Sequence, residues 1–190
     1  MRQALVLLAC AVAARGAEIE RLRNEKVVAV EYTIPPGGEL ATSTHPAVVV
    51  YIDGPKIKPG NVVFQPAGAA AVKNSGGADL RVVRIEFLGQ GSDEKWGKDG
   101  LAANYRVLLE NRYTRVYDIR IPAGEREPQH THKARVVVCL SGAELEHVMP
   151  DGRKETATLK TGEIAWRGAA THVGHNLGNT NLWVIAVEPK

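Results

Sequence analysis

The feature that most restricts how this chain can fold is an internal repeat. Residues 34–50, IPPGGELATSTHPAVVV, align without a gap on residues 121–137, IPAGEREPQHTHKARVV, and share eight of 17 positions, where chance would give about one. Further on, residues 60–76 align on 162–178, with Gly60, Asn74 and Gly76 matched by Gly162, Asn176 and Gly178. The offset grows from 87 to 102 between the two stretches, so the second copy carries about fifteen extra residues. They fall in AELEHVMPDGRKETATL, residues 143–159, whose two alternating runs flank Pro150-Asp151-Gly152, a hairpin-type turn signal. Two copies of one pattern predict two units of one kind.

Within each copy the runs are short, rich in Val and separated by Gly or Pro: VVAVEYTI, AVVVYI, NVVFQ and RVVRIEFL, then TRVYDIRI, RVVVCL, LEHVM, ATLK, EIAW and LWVIAVE. Only 5% of residues are aromatic although 44% are hydrophobic, so the core is built from β-branched layers, which favours strands. Helical periodicity is scarce, and only Glu18 to Lys26 reads as a short helix. The expected fold class is all-β, an antiparallel sandwich or barrel in each copy, the two packed together. The Gly-rich, charged stretch GQGSDEKWGKDG is the natural linker. The boundaries are then 18–90 for the first unit, 91–104 for the linker and 105–190 for the second.

Met1 to Ala17 stands apart. One Arg, an apolar run of about ten residues from Ala4 to Ala14 and small residues after it have the form of a secretory signal peptide, the run being too short to span a bilayer. The expected location is secreted or periplasmic, with no transmembrane segment. A variant reading takes Leu7-Leu8-Ala9-Cys10 as a lipobox, which would anchor the chain by a lipid on Cys10. The formal charge of +3 falls to +1 without the leader, since Arg2 and Arg15 go and no acid does. The remaining charges are spread along the chain with no basic stripe, so no nucleic-acid partner is expected. Cys139 is then the one cysteine left, and it lies in the apolar run VVVCL as a buried, inert thiol.

The second copy carries the chemistry. Gly124, five residues, His130-Thr131-His132 and Gly142 are followed by Gly162, His172 and Asn176. At these positions the chain resembles the cupin superfamily, whose first motif reads G-x5-H-x-H-x3–4-E-x6-G and whose second reads G-x5-P-x-G-x2-H-x3-N. The first copy contributes Gly37, His45, Gly54, Gly60, Pro66-Ala67-Gly68 and Asn74. The resemblance covers both copies and implies two tandem jelly-roll β-barrels, a bicupin, in which His and Glu side chains hold one divalent metal. It implies a structural role for Asn176, and pairing of barrels through sheet edges as a homodimer.

Elementary geometry supports a metal independently of the name. Residues two apart on a strand face the same way, so His130 and His132 can converge on one ion. A third imidazole from a distant strand closes a facial cap and leaves positions open for water or substrate, and His172 is the best candidate. The expected cofactor is one divalent transition metal, Zn, Fe, Mn or Ni. His147 and His175 stand at odd offsets from these residues and are expected outside the cluster, exposed or hydrogen-bonded.

Departures from the motif matter equally. Counting back from Gly142 puts Arg135 where the ligand Glu belongs, one residue too close to His132. A guanidinium cannot ligate a cation, so either the centre has three His or Arg135 turns outward. Glu127, Glu144 and Glu146 are the carboxylates placed to substitute for it. Gly168 and Ala170 replace the Pro and Gly of the second motif. Copy against copy, His130, His132 and His172 correspond to Ser43, His45 and Ala70, so the first unit is expected to be metal-free.

Two functional classes follow. One is a small-molecule metalloenzyme of dioxygenase, isomerase or lyase type, with Glu127 or Glu144 as general base and Arg135, if it faces inward, holding an anionic substrate group. The other is a non-catalytic module that captures a small ligand or a metal.

Overall fold

The computed structural model describes residues 16–55, 57–96 and 102–190. The proposed leader lies outside the described residues except for Gly16 and Ala17, as do residues 97–101 of the linker. The described residues form sixteen strands and no helix, so none of them is a helix long and apolar enough to cross a membrane.

The first half contains β1 (Ala17–Arg23), β2 (Val27–Ile34), β3 (Glu39–Leu40), β4 (Ala47–Asp53), β5 (Val62–Gln65), β6 (Val72–Lys73) and β7 (Leu80–Phe87). The second contains β8 (Tyr105–Glu110), β9 (Thr114–Ile121), β10 (His130–His132), β11 (Arg135–Ser141), β12 (Ala143–Val148), β13 (Lys154–Leu159), β14 (Ile164–Arg167), β15 (Ala170–Asn176) and β16 (Leu182–Pro189). Each half has one five-stranded antiparallel sheet, ordered β1-β2-β7-β4-β5 and β14-β11-β16-β9-β8. Opposite these stand a two-stranded sheet, β3-β6, in the first half and a four-stranded sheet, β10-β15-β12-β13, in the second. The extra residues of the second copy are the β12–β13 hairpin, closed at Gly152 with φ of 83°.

Alternation along the strands explains the unbroken Val runs. On β4, Val49 and Tyr51 point into the first half's own core while Val48 and Val50 point the other way. On β11, Val137 and Cys139 point into the second half's core, and Val136 and Val138 point away. The outward sets meet in one shared cluster with Val27, Ile85, Val116, Ile185 and Val187. Strands buried on both faces read as continuous apolar runs rather than alternating ones.

Two expectations change. Residues 18–26 are not helical: Ala17–Arg23 is an edge strand, held to β2 by its ladder and by Arg21, whose Nη2 lies 2.7 Å from Glu31 Oε2. Tertiary pairing overrides the helical propensity of Glu, Arg and Leu. The ungapped alignment also slips by one residue inside the Val runs. Ala47 pairs with Gln65 and Arg135 with Arg167, so Arg135 corresponds to Ala47 and not to Val48. A run of identical residues matches itself in either register, and only the partner strand fixes which is right.

The repeat is plainest in its turns. Asn176 Nδ2 donates to Ile121 O (2.9 Å) and Thr180 O (2.8 Å), and its Oδ1 accepts from Gly178 N (3.0 Å). Asn74 makes the same three bonds to Ile34 O (2.8 Å), Ala78 O (2.8 Å) and Gly76 N (3.0 Å). Each Asn thereby staples two loops of its half, the structural role the resemblance implied.

Candidate metal centre

β10 pairs with β15 so that His130 lies opposite His172 and His132 opposite Ala170. Two imidazoles two residues apart on one strand and a third across the ladder therefore share one face. All three are buried, and one ligand nitrogen from each lies within 4.8 Å of the others.

Main-chain carbonyls orient the rings. His130 Nδ1 is 3.0 Å from Pro128 O and His132 Nδ1 is 3.3 Å from Lys133 O. A carbonyl only accepts, so each Nδ1 carries the proton and each Nε2 presents a lone pair. His132 Nε2 is buried with no hydrogen-bond partner. His130 Nε2 accepts from the Tyr105 hydroxyl at 2.9 Å, and burial pushes that hydroxyl's pKa up, so it stays a donor. Burial above all, helped by the positive fields of His147, His130 and Arg135, holds His172 down at about 3 and keeps its imidazole neutral. Three buried imidazoles, one of them with an orphaned Nε2, suit a borderline divalent cation.

Glu127 reaches the cluster. Its Oε1 is 3.6 Å from His130 Nε2, its Oε2 accepts from Asn104 Nδ2 at 2.9 Å, and its main-chain N–H donates to Gly174 O at 2.9 Å. Arg135 faces inward and is 8% exposed, which settles its direction. Burial pulls its pKa down, and its Nε and Nη1 have no hydrogen-bond partner. A cavity of about 270 Å³ joins Tyr105, Glu127, His132, Arg135 and His172 to an apolar wall that includes Ile119, Val137 and Val184.

Glu144 does not join them: it falls on the exposed face of β12, opposite in direction to Leu145, and does not line the cavity. Alternation on the strand sends it out. Glu146 shares that outer face and pairs with Lys154 (3.2 Å) and Arg126 (3.4 Å). In the first half, Ser43 Oγ donates to Glu86 Oε1 at 2.8 Å, and His45 is half exposed. No ligand cluster forms there among the described residues.

Three neighbours escaped the sequence reading. His147, expected outside the cluster, stacks on His172 with centroids 4.3 Å apart and planes 3° from parallel. Its odd offset from His172 is resolved by the β12–β15 ladder, which pairs it with Gly174. Tyr105 comes from β8, 25 residues from the His it bonds, and nothing in its local sequence marks it. Glu188, with its pKa raised by burial, accepts from Lys133 N at 3.1 Å and from the Tyr117 hydroxyl at 3.3 Å. The Glu188 position could have been suspected only as a lone acid in the apolar run LWVIAVE.

No protein-family model matches the chain, and no curated protein is similar to it in sequence. Among solved structures, AerE from Microcystis aeruginosa superposes with a TM-score of 0.62 at 14% identity, over 93% of this chain and 97% of that one. A cupin 2 conserved barrel domain protein from Leptotrichia buccalis gives 0.59 at 13% identity, over 94% and 90%. Oxalate decarboxylase from Bacillus subtilis, in a study of its Mn(II) centres, gives 0.57 at 14%, over 93% and 73%. The jelly-roll sheets and these superpositions agree: the chain has the fold of the cupin superfamily.

Proposed function

We propose that the chain is two tandem cupin barrels, residues 18–90 and 105–190 joined by 91–104. In this reading the second barrel holds one divalent transition metal through His130, His132 and His172. The observation that carries it is the set of three buried imidazoles, each with a ligand nitrogen within 4.8 Å of the others, in which His132 Nε2 has no hydrogen-bond partner. The first barrel is the packing partner, its counterpart of the site filled by the paired side chains of Ser43, Arg84 and Glu86. Met1 to Ala17 directs the protein to a secreted or periplasmic location.

The protein is proposed as a small-molecule metalloenzyme. A bound Fe, Mn, Zn or Ni ion would supply Lewis acidity or, for a redox metal, O₂ chemistry. The Bacillus subtilis relative in fold is described with Mn(II) centres, which makes Mn one of the ions to test. The chain's own groups would position substrate and move protons. Glu127, fixed by Asn104, is the carboxylate near enough to the cluster to accept a proton from a bound substrate. The apolar wall keeps bulk water from the reacting groups.

Metal analysis of the full-length protein, purified and then soaked with each ion, tests the centre. About one equivalent is expected, lost in His132→Ala and kept in His45→Ala. Less than about a tenth of an equivalent after soaking overturns the reading, and loss with His45→Ala would move the site to the first half.

A further inference from the structure

We propose that Arg135 anchors a carboxylate-bearing small molecule, its acid group against the guanidinium and its apolar body against the wall formed by β9, β11 and β16. The proposal rests on the cavity being the functional site assigned above, and it names the class of ligand that enters it.

The first ground is an unpaired charge. Arg135 is 8% exposed, and its Nε and Nη1 have no hydrogen-bond partner. It makes no ion pair among the described residues. A structural arginine in this same chain looks different. Arg84, as deeply buried, donates from Nη1 to Ala41 O (2.7 Å) and from Nη2 to the Tyr32 hydroxyl (2.8 Å), and its Nε, which like that of Arg135 makes no hydrogen bond, is ion-paired 3.0 Å from Glu86 Oε1. Burying an unpaired guanidinium is costly, and a folded protein keeps one where a ligand completes it.

The second ground is charge balance. None of the nearby acids pairs with Arg135: Glu155, on the cavity wall, is bound by Arg153 at 2.6 Å, Glu127 accepts from Asn104, and Glu188 accepts from the Lys133 N–H and Tyr117. Three neutral imidazoles add no charge to balance a divalent ion, and Arg135 adds a cation in the position where the motif's Glu belongs. Together they exceed the negative charge of Glu127 and Glu188, and an entering monoanion offsets the excess.

The third ground is shape. A planar fork of two donors matches the two oxygens of a carboxylate. Beyond Arg135 the inward face of β11 continues as Val137 and Cys139, opposite Val184 of β16 and Ile119 of β9, so the rest of the ligand meets hydrocarbon. A sugar or a polyphosphate would bury its hydroxyls or charges there unpaired.

The test uses full-length protein, metal-free and metal-loaded, with butyrate and its neutral isostere butyramide, read by thermal shift and calorimetry. Butyrate is expected to raise Tm and butyramide not to. Arg135→Met should raise the Tm of the ligand-free protein, because an unpaired buried charge is replaced by a hydrocarbon of similar length. It should also weaken butyrate at least about tenfold while metal content stays at the wild-type level. If Arg135→Met does not fold, Arg135→Lys carries the test, with butyrate about tenfold weaker because the fork is lost. Equal responses to butyrate and butyramide, or undiminished butyrate binding in the variants, overturn the proposal. Butyrate binding through Arg135 in a protein that takes up no metal would sustain it while the metal reading fails, so the two stand or fall separately.

Discussion

Gly174 leaves the space that the Glu127 carboxylate occupies: a Cβ at that position would overlap Oε1, while Gly174 O accepts from the Glu127 main-chain N–H at 2.9 Å. β15 thus serves the cluster twice, directly through His172 and, two residues on, by admitting the acid that stands 3.6 Å from His130 Nε2.

Gly174→Ala should therefore push the Glu127 carboxylate off its place and break its bond to Asn104, destabilising the fold by about 0.5–1.5 kcal/mol, the worth of a typical hydrogen bond. Gly77→Ala, where an added Cβ meets nothing within 4 Å, should change stability by no more than about 0.5 kcal/mol in either direction. Urea denaturation compares them, and equal effects would refute the packing argument.

Tyr105→Phe probes the hydrogen bond to His130. The Tyr105 hydroxyl occupies the lone pair that a metal would need, at 2.9 Å. Removing a competing bond of about 0.5–1.5 kcal/mol should leave metal affinity unchanged or raise it by up to about tenfold. A weaker metal complex in competition with a chelator would instead make the phenol oxygen a ligand.

The stability of the metal-free protein should depend on pH through His172, whose pKa burial lowers from 6.5 to about 3. The folded pKa lies below the unfolded one, so the unfolded chain gains a proton first as pH falls. Stability from this group is unaffected above about 6.5, declines by up to about 1.4 kcal/mol per unit between 6.5 and 3, and levels off below. His147, whose pKa burial also lowers, acts in the same direction. Denaturation curves of His172→Gln should show a shallower decline, and an unchanged slope would exclude His172 as a source.

Asn176→Asp should be nearly as damaging as Asn176→Ala, at about 2–4 kcal/mol, although it preserves shape. Nδ2 donates to two carbonyls from a fully buried position, and a carboxylate there would face both with a lone pair. Asn74→Asp should behave alike, since its bonds are the same. A tolerated Asp at either position would show that loop stapling is not the role.

Neither half should be stable alone. Residues 105–190 made separately would expose Val116, Val136, Val138, Ile185 and Val187, which are buried against Val48, Val83 and Ile85. An apolar face of this kind drives association, so size-exclusion chromatography should find dimers or aggregates. A well-behaved monomer with the full-length Tm would contradict the shared core.

What the sequence by itself determined about this protein was local and periodic. Short Val runs between Gly and Pro made strands, the matched turns with Asn74 and Asn176 marked a repeat, and His130-Thr131-His132 put two imidazoles on one face, because side chains alternate along any strand. The tertiary structure alone decided relationships between strands. It set the register of the Val runs, turned Ala17–Arg23 into an edge strand, and paired His147 with Gly174 so that its ring lies on His172. It brought Tyr105 to His130, sent Glu144 outward and turned Arg135 inward. Residue type and spacing fix which way a side chain points relative to its neighbours, whereas the sheet partner fixes whether that direction is core, cavity or solvent.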